Sequence, residues 1–209
     1  MSPWRQYREI SNDEFFVVGV DTAQGGNDYS VATFFSKTNL DVPLIYHANV
    51  LATEMTNRIL PVLERIYDIT GIAPVVAYES NAGGVFELER LATLNRANKY
   101  RIYTMMTYGS VQNAEEKKIG WNTNTATRPK MLADLKEAID NQLIRIYDKA
   151  TINELYSFII NKQGKAEAEN GAHDDIVMSL AIAYQLAQTE LPIKVGFTQT
   201  YNKTKWAIG

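Results

Sequence analysis

The run Phe15-Phe16-Val17-Val18-Gly19-Val20-Asp21 decides how the rest of the chain is read. An unbroken apolar stretch rich in valine and phenylalanine suits a strand covered on both faces. Asp21 ends it, and a buried carboxylate costs several kcal/mol unless it is paired or metal-bound. A turn-rich stretch, Thr22-Ala23-Gln24-Gly25-Gly26-Asn27-Asp28, follows. Its glycines lack the spacing of a dinucleotide loop and lead into a strand, so Gln24-Gly25-Gly26 reads as a β-turn. Residues 29–36 and 44–51 are again strand-like. Three strands with short connections predict an antiparallel meander.

Further along, the period changes. Ile59, Val62, Leu63 and Ile66 recur at helical spacing, which predicts a helix over 54–70 with Thr53 as its cap and Gly71 just past its end. Residues 74–79 form a second buried strand, ending in Glu79. A helix over 83–95 and a strand over 100–108 come next. Residues 111–126 are polar and irregular. Thr127 as N-cap and Pro129 in the first turn predict a helix to about 141. A short strand over 142–147, a helix over 151–161, a polar loop over 162–171 and a long helix over 173–190 complete the pattern. Residues 1–14 read as a linker or docked arm, 15–190 as one domain, and 191–209 as a loose tail. The order is that of an α/β fold: a mixed central sheet with helices on both faces.

The chemistry is bounded by composition. The chain has 209 residues, 45% of them hydrophobic, enough to bury a core. It has no cysteine and only two histidines, His47 and His173. Zinc–thiolate sites, disulfide scaffolds, cysteine nucleophiles and His-rich metal sites are therefore excluded. Metal chemistry must rest on carboxylates, which favour hard ions such as Mg²⁺ or Mn²⁺. Carboxylates fall where such a site needs them. Asp21 and Glu79 end two buried strands, and Asp174-Asp175 open the last long helix. Ligands of open α/β sheets bind outside the carboxyl ends of the strands. Three carboxylate sites converging there repel one another, and divalent cations relieve that repulsion. Two ions about 3.5–4 Å apart activate a water and stabilise the leaving oxygen in phosphodiester cleavage. Asp28 and His173 are candidate supporting groups.

The net charge of −3 argues against a chain that coats nucleic acid by general basicity. Between 87 and 130, however, eight basic residues outnumber four acidic ones, a local +4 that leaves −7 for the rest. Lys117, Lys118, Arg128 and Lys130 are candidate phosphate contacts. Lys117-Lys118 reads equally as a solvated cluster balanced by Glu115-Glu116. Trp121 reads either as an anchor for its loop or as a base-stacking platform. No leader or membrane segment is visible, which points to a soluble, intracellular protein.

In the order and spacing of these motifs, the chain resembles the ribonuclease-H-like nucleases. Within them it resembles the nuclease domain of the large terminase subunit of tailed bacteriophages. The resemblance rests on Val18-Gly19-Val20-Asp21-Thr22-Ala23-Gln24-Gly25-Gly26-Asn27-Asp28-Tyr29-Ser30 and on Tyr78-Glu79-Ser80-Asn81-Ala82-Gly83-Gly84. It rests also on Gly120-Trp121-Asn122-Thr123 with Thr127-Arg128-Pro129-Lys130-Met131, and on Ala172-His173-Asp174-Asp175-Ile176-Val177-Met178-Ser179-Leu180-Ala181. It implies a ribonuclease-H-like βββαβαβ core. It implies that Asp21, Glu79 and one or both of Asp174 and Asp175 hold two divalent cations, Mg²⁺ or Mn²⁺. It further implies endonucleolytic cutting of concatemeric double-stranded DNA in the cytoplasm of an infected bacterial host. The implied partners are an ATPase motor, a portal and a small terminase subunit, with no membrane. No Gly-x-x-x-x-Gly-Lys-Ser/Thr loop is present, so an isolated nuclease domain or fragment without the motor is expected. A Holliday-junction resolvase or a transposase-like nuclease shares the same core. An actin-like ATP phosphotransferase begins the same way but needs a duplicated domain. A non-catalytic DNA-docking module is a further alternative, against which the complete acidic set speaks.

Overall fold

In the computed structural model, which describes residues 2–23, 28–80, 83–108, 115–160, 166–168 and 173–193, the opening run becomes the central strand of the main sheet. The elements in chain order are β1 (Trp4–Gln6), β2 (Phe16–Asp21), β3 (Ser30–Ser36), β4 (Asp41–Ala48), α1 (Ala52–Thr70), β5 (Val75–Tyr78), α2 (Gly84–Leu94), β6 (Arg101–Ile102), β7 (Thr104–Tyr108), β8 (Glu115–Ile119), α3 (Thr127–Asp140), β9 (Arg145–Ile146), α4 (Lys149–Tyr156), β10 (Phe158–Ile160), β11 (Ala166–Ala168) and α5 (Asp175–Thr189). The main sheet runs β1-β4-β3-β2-β5-β6, with β9 beside β4. β2, β3 and β4 form the expected antiparallel meander, and β5 joins β2 in parallel with Val20 opposite Tyr78. β5 and β6 are also parallel.

Alternation along β2 assigns its two faces. Phe16, Val18 and Val20 pack with Ile59 and Leu63 of α1 and Leu88 and Leu91 of α2. Val17 packs with the other core, which contains Met131 and Leu135 of α3 and Val177, Leu180 and Ala183 of α5. Phe16, Val17, Val18 and Val20 are all fully buried, so the strand is covered on both sides, at roughly 1.5–3 kcal/mol for each such side chain. Helices on both faces of a mixed sheet are what the sequence pattern predicts.

Gly19 sets the closest approach in this layer. A Cβ there would lie 2.2 Å from the Ser179 carbonyl oxygen and 2.5 Å from the Ala183 nitrogen. The backbone of α5 therefore rests directly on β2. Ser179 Oγ lies 3.0 Å from the Gly19 carbonyl oxygen and 2.8 Å from Thr33 Oγ1, tying the helix to two strands.

Several local expectations are revised. Within the segment read as a linker or docked arm, for which no strand was expected, residues 4–6 form an edge strand on β4, and Trp4 packs on Phe34 and Tyr46. Thr53 does not cap α1. Its hydroxyl donates to Glu87 Oε1 (2.8 Å), and the helix starts at Ala52. Gly71 ends that helix in the left-handed conformation, as expected. Thr127 does not cap α3 either, because the Asn124 side chain takes the Ala126 and Thr127 N–H groups in a local turn.

The strand expected over 100–108 is broken at Tyr103. That residue still donates to Val76 of the main sheet, whereas Thr104 onward pairs with β8 in a separate hairpin. The irregular stretch 111–126 thus contains a strand, and the loop 162–171 contains β11, paired with β10. The strand over 142–147 shrinks to Arg145–Ile146, and the last helix begins at Asp175 rather than at 173. The Gln24-Gly25-Gly26 turn and most of the tail lie outside the described residues. Among the described residues no helix is long and apolar enough to cross a membrane.

Candidate active site

Asp21 shares the parity of Val17 and Gly19, and Glu79 that of Val75 and Ala77. A period of two therefore sends both acids to the α5 side of the sheet. Glu79 continues β5: its N–H donates to the Val20 carbonyl (2.8 Å). It also forms an isolated bridge with Trp121, whose N–H donates to the Tyr78 carbonyl (2.8 Å) and whose carbonyl receives Ser80 N–H (2.7 Å). That chain approach requires Gly120. It has φ +81°, and a Cβ there would lie 2.7 Å from the Tyr78 carbonyl oxygen.

The third acidic segment arrives with α5. From the contact at Gly19, two strand residues lead to Asp21 and four helical residues lead to Asp175, distances of about 6–7 Å in each case. Asp174, at the cap position, makes no side-chain capping hydrogen bond. Its Oδ2 instead receives Arg128 Nη2 at 2.7 Å. Asp175 receives the Tyr29 backbone N–H, while its Oδ2 is buried without a hydrogen-bond partner. His173 Nδ1 stands 3.6 Å from that oxygen, and its ring meets the edge of Tyr29 at 5.4 Å.

The electrostatics record the crowding. Burial pushes the Asp21 carboxyl well above the usual range, and the charges of Glu79, Asp175 and Asp174 push it further. Asp175 is raised too, first by burial, with Asp174 and Asp28 adding to it against the Tyr29 N–H and His173. The four expected acids therefore share one crevice. They do not form a finished cage: among the described residues, no group of three His, Asp or Glu side chains is arranged to hold a metal ion. The donor set nonetheless fits a hard divalent cation, since it is all carboxylate and includes a buried oxygen with no hydrogen bond.

Asp28 is exposed, its charge acts on Asp175, and its backbone carbonyl accepts from the Asn49 side chain. The expected DNA contacts divide. Lys117 and Lys118 are exposed on β8 of the hairpin. Trp121 is 6% exposed and stacks on Tyr103, so it anchors its segment and offers no stacking platform. Lys130 pairs with Asp134 one helical turn away. Arg128, expected to face phosphate, lies inside the acidic crevice. Among the described residues, ion pairs engage five of the eight basic residues between 87 and 130: Arg90 with Glu87, Lys99 with Asp68, Arg101 with Glu190, and the two just named. The local excess of +4 is therefore largely spent in ion pairs.

Sequence reading missed one acid, Glu154 on α4. Burial pushes its carboxyl up to about 7, against the Val177 and Ile176 N–H groups it accepts, and Asp175 and Asp174 add to the rise. Its only sequence signal is its place in the helix expected over 151–161.

The strand order, with the meander followed by two parallel strands, defines a ribonuclease-H-like fold, and the acids lie where that fold places its ligands. Among solved structures, the chain is similar to the large terminase nuclease of the thermophilic phage G20c. The cobalt-bound form matches with a TM-score of 0.62 at 18% identity, over 88% of each chain. The magnesium-bound form matches at 0.61 and 20%, again over 88% of each. The manganese-soaked terminase nuclease domain of human cytomegalovirus matches at 0.51 and 11%, over 82% of this chain and 83% of that one. No family model and no curated protein matches the chain. At these identities the likeness establishes the fold.

Proposed function

We propose that this chain is a metal-dependent DNA endonuclease of the viral genome-packaging terminase type, with residues 15–190 as its nuclease domain. One observation carries the reading. Two neighbouring parallel strands end in acids on the face where α5 brings Asp174 and Asp175, and a buried oxygen of Asp175 has no hydrogen-bond partner. The shared fold with terminase nuclease domains, solved with cobalt and magnesium and after a manganese soak, supports it.

Asp21, Glu79, Asp174 and Asp175 would hold two divalent cations. When bound, these supply an activated water and charge stabilisation for phosphodiester hydrolysis. Holding them requires Asp174 to be shared with, or released by, Arg128. His173, half-exposed beside Asp175, would meet a phosphate oxygen, and Asp28 would add negative charge near Asp175. Lys117 and Lys118 contact the DNA backbone from the hairpin without reading bases. In this reading the substrate is concatemeric double-stranded DNA in the host cytoplasm, and an ATPase motor, a portal and a small subunit complete the machine.

The test is nicking of supercoiled plasmid by the purified chain in Mn²⁺ or Mg²⁺, beside Asp21→Ala. Cutting that requires both the cation and Asp21 is the expected result. Intact plasmid across a wide range of protein and Mn²⁺ concentration overturns the reading.

A further inference from the structure

The first turn of α5 presents a capping problem. A helix N-terminus leaves N–H groups without intrahelical partners, and the residue at the cap position ordinarily accepts one of them. Here that residue is Asp174, a good capping side chain by type, yet it makes no such bond. Its carboxylate points to Arg128 instead. The vacant role is filled from another helix. Glu154 Oε1 on α4 accepts the Val177 N–H at 2.8 Å, and the Glu154 carboxylate also takes the Ile176 N–H.

α4 is itself firmly held. Its cap, Asp148, accepts Thr151 N–H (2.7 Å) and Thr151 Oγ1 (2.8 Å), and receives Arg5 Nε (2.6 Å) and the Tyr7 hydroxyl from the N-terminal segment. A continuous set of contacts thus runs from β1 through Asp148 and α4 to the first turn of α5.

We propose that Glu154 is a positioning residue for the acidic crevice: by capping α5 from a neighbouring helix, it fixes the first turn and leaves the Asp174 and Asp175 carboxylates for a divalent cation. The cation rests on the nuclease reading; the capping does not. The physical advantage is a division of labour. A carboxylate that caps its own helix is committed to N–H groups and turned away from the strands. One supplied by α4 satisfies the same donors and lets both aspartates face Asp21.

Three variants of the full chain test this: Glu154→Ala, Glu154→Gln and Glu154→Asp. The readouts are hydrogen exchange at the Ile176 and Val177 amides, Mn²⁺ affinity by calorimetry, and plasmid nicking. Gln keeps an oxygen at the same reach, whereas Ala has none and Asp is one methylene short. Glu154→Ala and Glu154→Asp are expected to expose the two amides to faster exchange and to weaken Mn²⁺ binding about tenfold, as loss of a residue that orients a metal ligand commonly does. Glu154→Gln is expected to keep exchange and affinity near the wild type.

Wild-type exchange and affinity in Glu154→Ala overturn the proposal. So does a lowered melting temperature with unchanged Mn²⁺ affinity, which makes Glu154 a packing group only. Should Glu154→Ala not fold, the Gln and Asp pair decides, and equal behaviour of the two overturns it. A wild type that binds Mn²⁺ but never cuts DNA removes the nuclease reading and leaves the positioning claim to be judged by exchange and affinity. A wild type that binds no Mn²⁺ removes both.

Discussion

At the outer edge of the sheet, Asp148 meets Arg5, Tyr7 and Thr151, while Asp41 and Glu14 share Arg8. In the crevice, Asp21 faces Glu79, Asp175 and Asp174, and Asp174 shares its charge with Arg128. Both regions bury carboxylates, with opposite results. Burial pushes Asp148 up, but Arg5, Tyr7 and Thr151 outweigh it and hold the group down at about 2. Glu14 is likewise lowered, since its hydrogen bonds to Arg8, Ser36 and Ser11 overcome burial. Asp21, Asp175 and Glu154 all go up. A buried acid that holds a fold together is surrounded by donors, whereas a buried acid left short of donors stores repulsion that a cation releases.

The sharpest way to break this comparison is Asp21→Asn. It is expected to lower the nicking rate by roughly 10³-fold, the loss of several kcal/mol of transition-state stabilisation. It should also raise the melting temperature of the cation-free protein, because a repelled charge is gone. A fall in melting temperature would show that Asp21 is held by compensating bonds, like the acids at the edge.

Asp148→Ala is the reverse experiment. It strands Arg5, removes the α4 cap, and should cost about 3 kcal/mol in urea denaturation. Loss of only a few tenths would mean that the edge cluster contributes little.

The pH dependence separates the two regions without mutation. Asp148 falls from an ordinary 3.8 to about 2, so its contribution is fully present above about pH 4 and is lost as the pH falls through about 2. Glu154 rises from 4.5 to about 7. The folded state then binds more protons than the unfolded one between those values, and stability declines as the pH rises through that window. Thermal melts of cation-free protein should therefore be most stable between about pH 4 and 5 and weaken towards neutrality. Mn²⁺ at pH 7 should reverse the decline.

The smallest expected effect belongs to Arg128→Ala. It removes the ion pair on Asp174 and should cost about 1 kcal/mol in the cation-free protein. With Mn²⁺ present the cost should shrink, because the cation takes over the charge. An undiminished cost would place Arg128 with the edge cluster in kind.

Much of this was legible in residue order. The run 15–20, the meander after it and the acids at 21, 79, 174 and 175 can be read from period and type alone, because a strand buried on both faces leaves no other place for Asp21 than its end. Trp121 was ambiguous, since an aromatic residue in a polar stretch has no period to decide its side; the bridge to Glu79 buries it. Glu154 and the pairing of Arg128 with Asp174 were invisible, because both join residues far apart in sequence.

The chain's own order therefore determined the fold class and where the candidate acids fall along it, which depend on local periodicity and on the cost of burying charge. Tertiary structure decided how those acids are held. The contact of α5 on Gly19 sets their height against the sheet, Glu154 caps the helix that carries two of them, and two of the four basic residues expected to face DNA, Arg128 and Lys130, are turned to ion pairs. The reason is range: periodicity and burial are written in neighbouring residues, whereas compensation of a charge depends on which distant groups the packed layers bring within a few ångströms.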